Sequence, residues 1–299
     1  MKWFQRLRYG IEYLLFRGIV GFVRLLPVDL AAAISGRIWR FLAPLNRRHK
    51  RALTNLELAF PDKTTEEREL IACQMWENLG RVMAETMQLD RILSDSRRVH
   101  LVNRELLQDT DFQSDSIMLV SLHTGNWELA VSPFTEAGFN PGAVYRLVDN
   151  PYIDTYVRKI RRNLYPAGLF AKGGDAGRRN GQRVAKLLVN FVRKGGRLGV
   201  LCDLYDRKGT AVPFFGRPAR STPIPAMMAR KMGSRIWLLR CVRVCKKSQF
   251  KIELKELDVP RTDDSRADIT RITTAIQAQF EEWIRQYPEQ WMWSNRRWS

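Results

Sequence analysis

The spacing of hydrophobic positions changes repeatedly along the chain and divides it into strands and helices. Short apolar runs predict strands at residues 117–122, 143–147, 198–202, 236–244 and 250–257. Helical spacing predicts helices at residues 126–137, 152–165, 183–192, 225–232 and 267–287. Because strands and helices alternate and the last two strands form a hairpin, we expect an α/β fold with a mixed central sheet flanked by helices.

A helix before these elements has a clear start signal. Thr64-Thr-Glu-Glu67 matches a capping box, in which the first and last side chains satisfy backbone amides at the helix start. The apolar residues that follow have helical spacing from Leu70 to Met87, and we expect this stripe to pack in the core.

The N-terminal region is apolar and aromatic over residues 3–26. At about 100° per residue, Arg6, Arg17 and Arg24 fall within about 20° of one another on a helix, which gives one basic stripe. An apolar helix with one basic stripe is typical of a membrane-interface anchor. A soluble core helix and a single membrane span with snorkelling arginines both remain open.

A second apolar stretch, residues 30–45, precedes the basic cluster 46–51, and such clusters attract anionic lipid headgroups. A solvated helix turn would explain this cluster equally well. We therefore expect an N-terminal membrane-anchoring helical segment at residues 1–51 and an α/β domain at residues 52–299.

The chain is strongly basic. Fifty lysine and arginine residues stand against 31 acidic residues, a formal net charge of +19. This excess favours an anionic partner such as nucleic acid, an anionic membrane, an acidic protein or a phosphorylated substrate. A nucleic-acid-binding protein would concentrate its charges on a recognition element, whereas here they are dispersed and no binding motif is found, so we expect no nucleic acid.

The four cysteines, at 73, 202, 241 and 245, lack the paired spacing of zinc ligands, and the chain has three histidines. We expect no metal and reduced core cysteines, with Cys241 and Cys245 on one face of a strand. Reduced thiols are typical of the cytoplasmic side of a membrane.

The run Ser121-Leu-His-Thr-Gly-Asn-Trp-Glu-Leu129 has the strongest chemical signal. His123 follows a predicted buried strand, and catalytic groups of open α/β sheets gather at such carboxyl ends. Gly125 permits a tight turn, and Asn126 is a suitable helix cap whose neighbouring amides would stabilise an oxyanion. Glu128 would hold one imidazole nitrogen while the other accepts a proton from a substrate hydroxyl. Spacing alone is equally consistent with a structural histidine.

His-Thr-Gly-Asn-Trp-Glu resembles the His-x4-(Asp/Glu) signature of the glycerolipid and lipid A acyltransferases, and its Gly-Asn-Trp-Glu form resembles the late lipid A acyltransferases in particular. Further blocks follow in that family's order, so the resemblance covers nearly the whole chain. They are Tyr145-Arg-Leu-Val-Asp-Asn-Pro-Tyr152, Val212-Pro-Phe-Phe-Gly-Arg217 with Ser221-Thr-Pro223, and Pro288-Glu-Gln-Trp-Met-Trp-Ser-Asn-Arg-Arg-Trp298.

The resemblance implies a membrane-bound acyltransferase on the cytoplasmic face of a bacterial inner membrane. The donor would be an acyl-carrier-protein thioester, and the acceptor the hydroxyl of a 3-hydroxyacyl chain on a phosphorylated lipid A precursor. No cofactor or metal is implied. A lysophospholipid or aminolipid O-acyltransferase with the same dyad is the alternative.

The expected catalytic dyad is His123 and Glu128. The expected substrate-binding residues lie in or beside the matching blocks, and Arg146 would reach a phosphate or the carrier's phosphopantetheine arm. Asp203 would position a loop at the site. The full substrate-binding set is Gly125, Asn126, Arg146, Asp203, Gly216, Arg217 and Thr222.

Overall fold

A mixed seven-stranded sheet forms the centre of the fold in a computed structural model that describes residues 3–102, 104–108, 116–172 and 177–298. The strand order is β1-β9-β8-β2-β5-β3-β4, and β6 and β7 form a separate antiparallel hairpin. The strands are β1 Val99–Leu101, β2 Ile117–Ser121, β3 Pro141–Arg146, β4 Gly168–Lys172, β5 Arg197–Leu201, β6 Thr210–Phe214, β7 Arg217–Ser221, β8 Arg235–Arg243 and β9 Phe250–Leu257.

Helices cover both faces of this sheet, and short 3₁₀ segments connect several of them. The α-helices are α1 Trp3–Leu25, α2 Val28–Leu42, α3 Arg47–Ala59, α4 Thr65–Thr86, α5 Leu89–Leu93, α6 Ser132–Glu136, α7 Pro151–Arg161, α8 Gly177–Arg193, α9 Ile224–Met232 and α10 Ser265–Gln286.

Strand β2 is the structural centre because all five of its residues are buried. Its side chains alternate between two hydrophobic clusters, with Met118 and Val120 in one and Ile117 and Leu119 in the other. Strand β2 pairs in parallel with β5 and with β8, and Ser121 is opposite both Leu201 and Leu239. The carboxyl ends of these three strands therefore meet at one edge of the sheet.

The structure confirms most of the predicted elements and the mixed sheet, in which β8 and β9 form the expected antiparallel hairpin. It also confirms the capping box, because Thr64 and Glu67 exchange both hydrogen bonds. One predicted helix is wrong: residues 126–137 contain a 3₁₀ turn, Trp127–Leu129, and then the short helix α6. Ser132 begins that second piece, with Pro133 in its first turn, and the 3₁₀ turn before it has no side-chain cap.

The cysteine prediction is confirmed in part. All four cysteines are free thiols, and Cys202 and Cys241 are buried. Cys245 is exposed because β8 ends at Arg243, two residues before it, so the expected placement of Cys241 and Cys245 on one face of a strand is wrong.

Helix α1 packs along α7 through one side only. Tyr13 and Phe16 contact Tyr152 and Tyr156, and the Asn150 side chain donates a hydrogen bond to the Tyr9 carbonyl at 2.9 Å. At the other end of the helix, Arg24 forms a bidentate ion pair with Asp90 of α5. Among the described residues, no helix combines the length and apolar character needed to cross a membrane.

Candidate active site

His123 and Asp203 lie side by side because they follow two paired strands by the same distance. Ser121 ends β2, Leu201 ends β5, and these two residues are opposite each other. Two residues further on, His123 Nδ1 lies 2.8 Å from Asp203 Oδ1, and the His123 amide donates to Asp203 Oδ2 at 2.9 Å. The register of the sheet therefore presents a carboxylate to the imidazole.

Asp203 is completely buried, whereas the His123 side chain is 17% exposed to solvent. No hydrogen bond to His123 Nε2 is found in the described part of the chain. The Trp127 ring packs against the imidazole at 5.3 Å between ring centroids. Nδ1 is thus held by a carboxylate, while Nε2 has no hydrogen-bond partner within the described ranges.

The pKa values of this pair move in opposite directions. Burial alone would lower the pKa of His123, but the charge and hydrogen bond of Asp203 raise it above its ordinary value, and the charge of Glu128 adds to this. Burial alone would raise the pKa of Asp203, but His123 and its other donors hold it below the ordinary range. Both shifts stabilise an imidazolium paired with a carboxylate.

Glu128 lies beside His123 but has a different partner from the one predicted. Arg161, the last residue of α7, approaches it with two nitrogens: Nε lies 2.7 Å from Oε2, and Nη2 contacts Oε1. Burial would lower the pKa of Arg161, and the Glu128 carboxylate raises it. The expected hydrogen bond between Glu128 and the imidazole is replaced by the Asp203 contact, because Asp203 lies in register with His123 and Glu128 is turned toward α7.

The backbone amides expected to form an oxyanion hole are already engaged. The Gly125 amide donates to the Gln290 carbonyl at 3.1 Å, and the Asn126 amide points at the Cys241 thiol. Gly125 has a φ of +55°, and a Cβ there would lie 1.9 Å from the Cys241 carbonyl oxygen. These two residues hold the loop on β8, and in this arrangement their amides are bonded to protein groups, so their role as oxyanion donors stays a prediction.

The Asn126 side chain is buried in a polar network below the loop. Its Nδ2 donates to Glu85 at 2.9 Å, and Arg243 donates two hydrogen bonds to the same carboxylate. Ser248 donates a further hydrogen bond to Glu85 at 2.7 Å. Asn126 is therefore bonded to protein groups that fix the loop carrying His123 and Glu128.

The remaining predicted substrate residues are spread around the site. Arg146 is exposed at the carboxyl end of β3, and the pairing of Ala143 with Gly199 brings it to the same sheet edge as Asp203. Thr222 follows β7, and its hydroxyl is buried without a hydrogen-bond partner among the described residues. Gly216 lies in the turn between β6 and β7, and Arg217 is the first residue of β7; this hairpin packs on α3 through a hydrogen bond from Arg217 to the Leu58 carbonyl.

Arg161 and Trp291 contribute to the site and were missed by sequence reasoning. Trp291 Nε1 donates to Asp203 Oδ2 at 2.8 Å. Arg161 lies within a run of basic residues at the end of a helix, which gives no sign that it alone turns inward. Trp291 lies in the closing block noted above, and no local pattern indicates its contact with Asp203, which is 88 residues away along the chain.

The pairing of His123 with a buried carboxylate is an arrangement that enzymes use for acid–base chemistry. A base held by a buried carboxylate has the arrangement that removes a proton from an attacking hydroxyl. No group of three or more histidine, cysteine, aspartate or glutamate residues placed to hold a metal is present among the described residues.

Comparison with known proteins identifies the family. A family model for bacterial lipid A biosynthesis acyltransferases matches residues 1–299, and the chain belongs to this family. It is 28% identical over 265 residues to the lipid A biosynthesis lauroyltransferase of Escherichia coli K12, covering 85% of this chain and 79% of that protein. It is 26% identical over 282 residues to the palmitoleoyltransferase of the same organism, covering 91% and 86%. It is 23% identical over 298 residues to the myristoyltransferase, covering 98% and 88%. The protein is therefore an acyltransferase, and the resemblance seen in the sequence is confirmed.

Proposed function

We propose that this enzyme transfers a fatty acyl group from an acyl-carrier-protein thioester to the hydroxyl of a 3-hydroxyacyl chain on a lipid A precursor, with His123 as the base. The observation that carries this proposal is the His123–Asp203 pair, in a chain of the lipid A acyltransferase family. Bases of this kind contribute about 10²- to 10⁴-fold to a rate.

The reaction runs in two steps. His123 Nε2 accepts the proton of the acceptor hydroxyl as its oxygen attacks the thioester carbonyl, which forms the new C–O bond and a tetrahedral oxyanion. The intermediate then collapses with cleavage of the C–S bond, and the imidazolium returns its proton to the departing thiolate. The products are an ester and a free thiol, so no net proton is gained or lost.

Asp203 and Glu128 have different roles in this mechanism. Asp203 accepts the Nδ1 hydrogen bond, which keeps the proton off Nε2 and stabilises the imidazolium. Glu128 adds a second negative charge near the imidazolium without contacting its nitrogens, and Arg161 forms an ion pair with that carboxylate. The predicted His123–Glu128 dyad is thereby extended to a His123–Asp203 pair supported by Glu128 and Arg161.

The charge of the protein supports the two proposed substrates. Acyl-carrier protein is acidic, a lipid A precursor carries phosphates, and the chain has a net charge of +19. Arg146 lies exposed at the sheet edge that carries the base, where it can bind a phosphate of either substrate. No cofactor is required for attack of a hydroxyl on a thioester.

We also propose that α1 lies flat on the cytoplasmic face of a bacterial inner membrane. Its buried residues, Tyr9 and Val20, lie on the side that faces the protein. The opposite side presents a continuous apolar arc to the outside: Phe4, Leu7, Ile11, Leu14, Leu15, Phe22 and Leu25. An exposed apolar surface of this size is typical of a membrane contact. Contacts with α7 and α5 hold the helix against the protein, which favours an in-plane orientation over a span.

Vesicle flotation tests the membrane contact. Burial of one large apolar side chain contributes about 1.5–3 kcal/mol, so Leu14→Ser with Phe22→Ser should weaken binding to anionic vesicles by a factor of at least about 100. Leu14 and Phe22 are 71% and 61% exposed, which makes a folding defect unexpected. The matched control is Leu187→Ser with Val244→Ser, which removes exposed apolar side chains elsewhere. Equal binding of the two variants would refute the α1 interface.

Mass spectrometry of the lipid product tests the reaction. The purified enzyme is incubated with a series of acyl-carrier-protein thioesters and either a lipid A precursor or a lysophospholipid. We expect an increase of one acyl chain on the lipid A precursor, and loss of this product in His123→Ala. Acylation of the lysophospholipid alone would replace the proposed acceptor, and full activity of His123→Ala would exclude the proposed base.

A further inference from the structure

Residues 288–298, called here the C-terminal segment, bridge the two loops that carry His123 and Asp203. The segment forms an antiparallel bridge between Trp291 and Thr124, and the Met292 amide donates to the His123 carbonyl at 3.2 Å. On the other loop, the Tyr205 amide donates to the Arg296 carbonyl at 3.2 Å. The two loops follow different strands, and this segment fixes one relative to the other.

Trp291 makes the contact of this segment that reaches the catalytic pair directly. It is 1% exposed, and its Nε1 donates to Asp203 Oδ2 at 2.8 Å. That oxygen also accepts the His123 amide, while Oδ1 accepts from His123 Nδ1. Because two donors fix Oδ2, the carboxylate plane cannot rotate away from the imidazole.

We propose that Trp291 is a positioning residue that acts on His123 through Asp203. The His123 amide keeps the carboxylate in place, and the indole N–H draws negative charge to Oδ2 and so lowers the proton affinity of His123. This inference rests on the proposed function for its kinetic consequence, but the effect on His123 is a property of the protein alone. The Trp291 N–H stabilises the ionised carboxylate and draws negative charge away from the imidazole. Without this donor, the carboxylate would hold the imidazolium more tightly.

Other charged groups also act on the pair. Glu128, with Arg161, adds negative charge on the imidazole side. Arg297, which is 1% exposed and bonded to Ser221 and Gln277, acts on Asp203 by its charge. These groups stay in place when only the indole N–H is removed, so a change in the His123 titration reports the Trp291 contact.

The chain offers a matched control, Trp293. It is completely buried, it packs edge-to-face on Trp291 at 4.6 Å between ring centroids, and its Nε1 donates to the Pro288 carbonyl at 2.7 Å. Trp291→Phe and Trp293→Phe therefore remove the same atoms from the same aromatic cluster. Only the first removes a donor from Asp203, so any shared loss of stability cancels in the comparison.

NMR titration of the ¹⁵N-histidine-labelled full chain in detergent micelles tests the proposal without any substrate. The chain has three histidines, and the signal of His123 is identified by its absence from His123→Gln. We expect Trp291→Phe to raise the pKa of His123 by about one unit. Trp293→Phe should leave this pKa unchanged. Equal titration in both variants would overturn the proposal.

The pH dependence of acyl transfer gives the second measurement. A rise of about one unit leaves about tenfold less neutral base below the pKa, so Trp291→Phe should lose about tenfold in kcat there with unchanged KM. A proportional loss at every pH, equal to that of Trp293→Phe, would indicate a structural role and overturn the proposal. If the wild-type enzyme makes no acylated lipid, the proposed function fails, and the NMR titration still decides the role of Trp291.

Discussion

Replacement of Asp203 by asparagine is the sharpest test of the catalytic pair. Asp203 Oδ2 accepts hydrogen bonds from the His123 amide and from Trp291 Nε1, and Oδ1 accepts from His123 Nδ1. In Asp203→Asn, the two donors at Oδ2 require the amide oxygen there, which places the NH₂ group opposite Nδ1. Nδ1 must then act as an acceptor, so the proton moves to Nε2 and the base is lost.

The expected loss follows from two independent arguments. The same exchange in Ser-His-Asp enzymes lowers kcat by about 10⁴ because the histidine is held in the wrong tautomer. In addition, unit charges about 4 Å apart attract by about 4 kcal/mol at an effective dielectric constant near 20, which corresponds to about 10³ in rate. We therefore expect Asp203→Asn to lower kcat by about 10³- to 10⁴-fold, with KM values little changed.

The assay is the initial rate of acyl transfer over a range of pH. Loss of the carboxylate leaves burial as the main influence on His123, so any residual activity should have its acidic limb at lower pH than the wild type. Asp206→Asn is the matched control, since Asp206 lies in the same loop and its carboxylate accepts a hydrogen bond from the Lys208 amide and not from His123. A loss below about tenfold in Asp203→Asn would refute the assignment and leave Glu128 as the supporting carboxylate.

Three further predictions concern the groups around this pair. The base must be neutral, and Asp203 raises the pKa of His123. The kcat/KM of the wild type should therefore fall as the pH decreases, with the midpoint of this fall above about pH 6.5. A midpoint well below that pH would contradict the shift. Glu128→Gln leaves the half-buried Arg161 without its charged partner and should lower the free energy of unfolding in urea by about 1.5–3 kcal/mol. Adding Arg161→Met should restore stability but not activity, and restored activity would exclude a role for the Glu128 charge. Gly125→Ala should lower the free energy of unfolding by at least about 3 kcal/mol, since a Cβ would collide with the Cys241 carbonyl. Gly138 also has a positive φ but lies in open space, so Gly138→Ala should lower it by about 1–2 kcal/mol.

The sequence predicts the elements of this fold well because its strands are short, apolar and clearly bounded. Capping at Thr64 and the hairpin of β8 and β9 follow from local patterns, and both are present. Strand β4 and the hairpin of β6 and β7 were missed. In the latter, alternating burial is obscured by Pro213 and Pro218, and the turn requires positive φ at both Phe215 and Gly216.

The site was predicted in part. The sequence predicts that His123 follows one buried strand and that Asp203 follows another, and the structure has both residues at these places. Which carboxylate meets the imidazole depends on the pairing of β2 with β5, since Ser121 must be opposite Leu201. Strand order and register are long-range properties that local patterns do not contain, which is why Glu128, five residues from His123, seemed the natural partner.

The same pairing has a consequence for how the enzyme becomes active during folding. Asp203 is 80 residues from His123 along the chain, and Trp291 is a further 88 residues from Asp203. Strand β2 must pair with β5 on one side and with β8 on the other before these three groups can come into contact. Contacts of such sequence separation form slowly, and a partly folded chain would have the histidine without its carboxylate. A newly made chain would thus lack the complete group of His123, Asp203 and Trp291 until the central sheet has assembled, and the His123 titration would serve as a probe of that assembly.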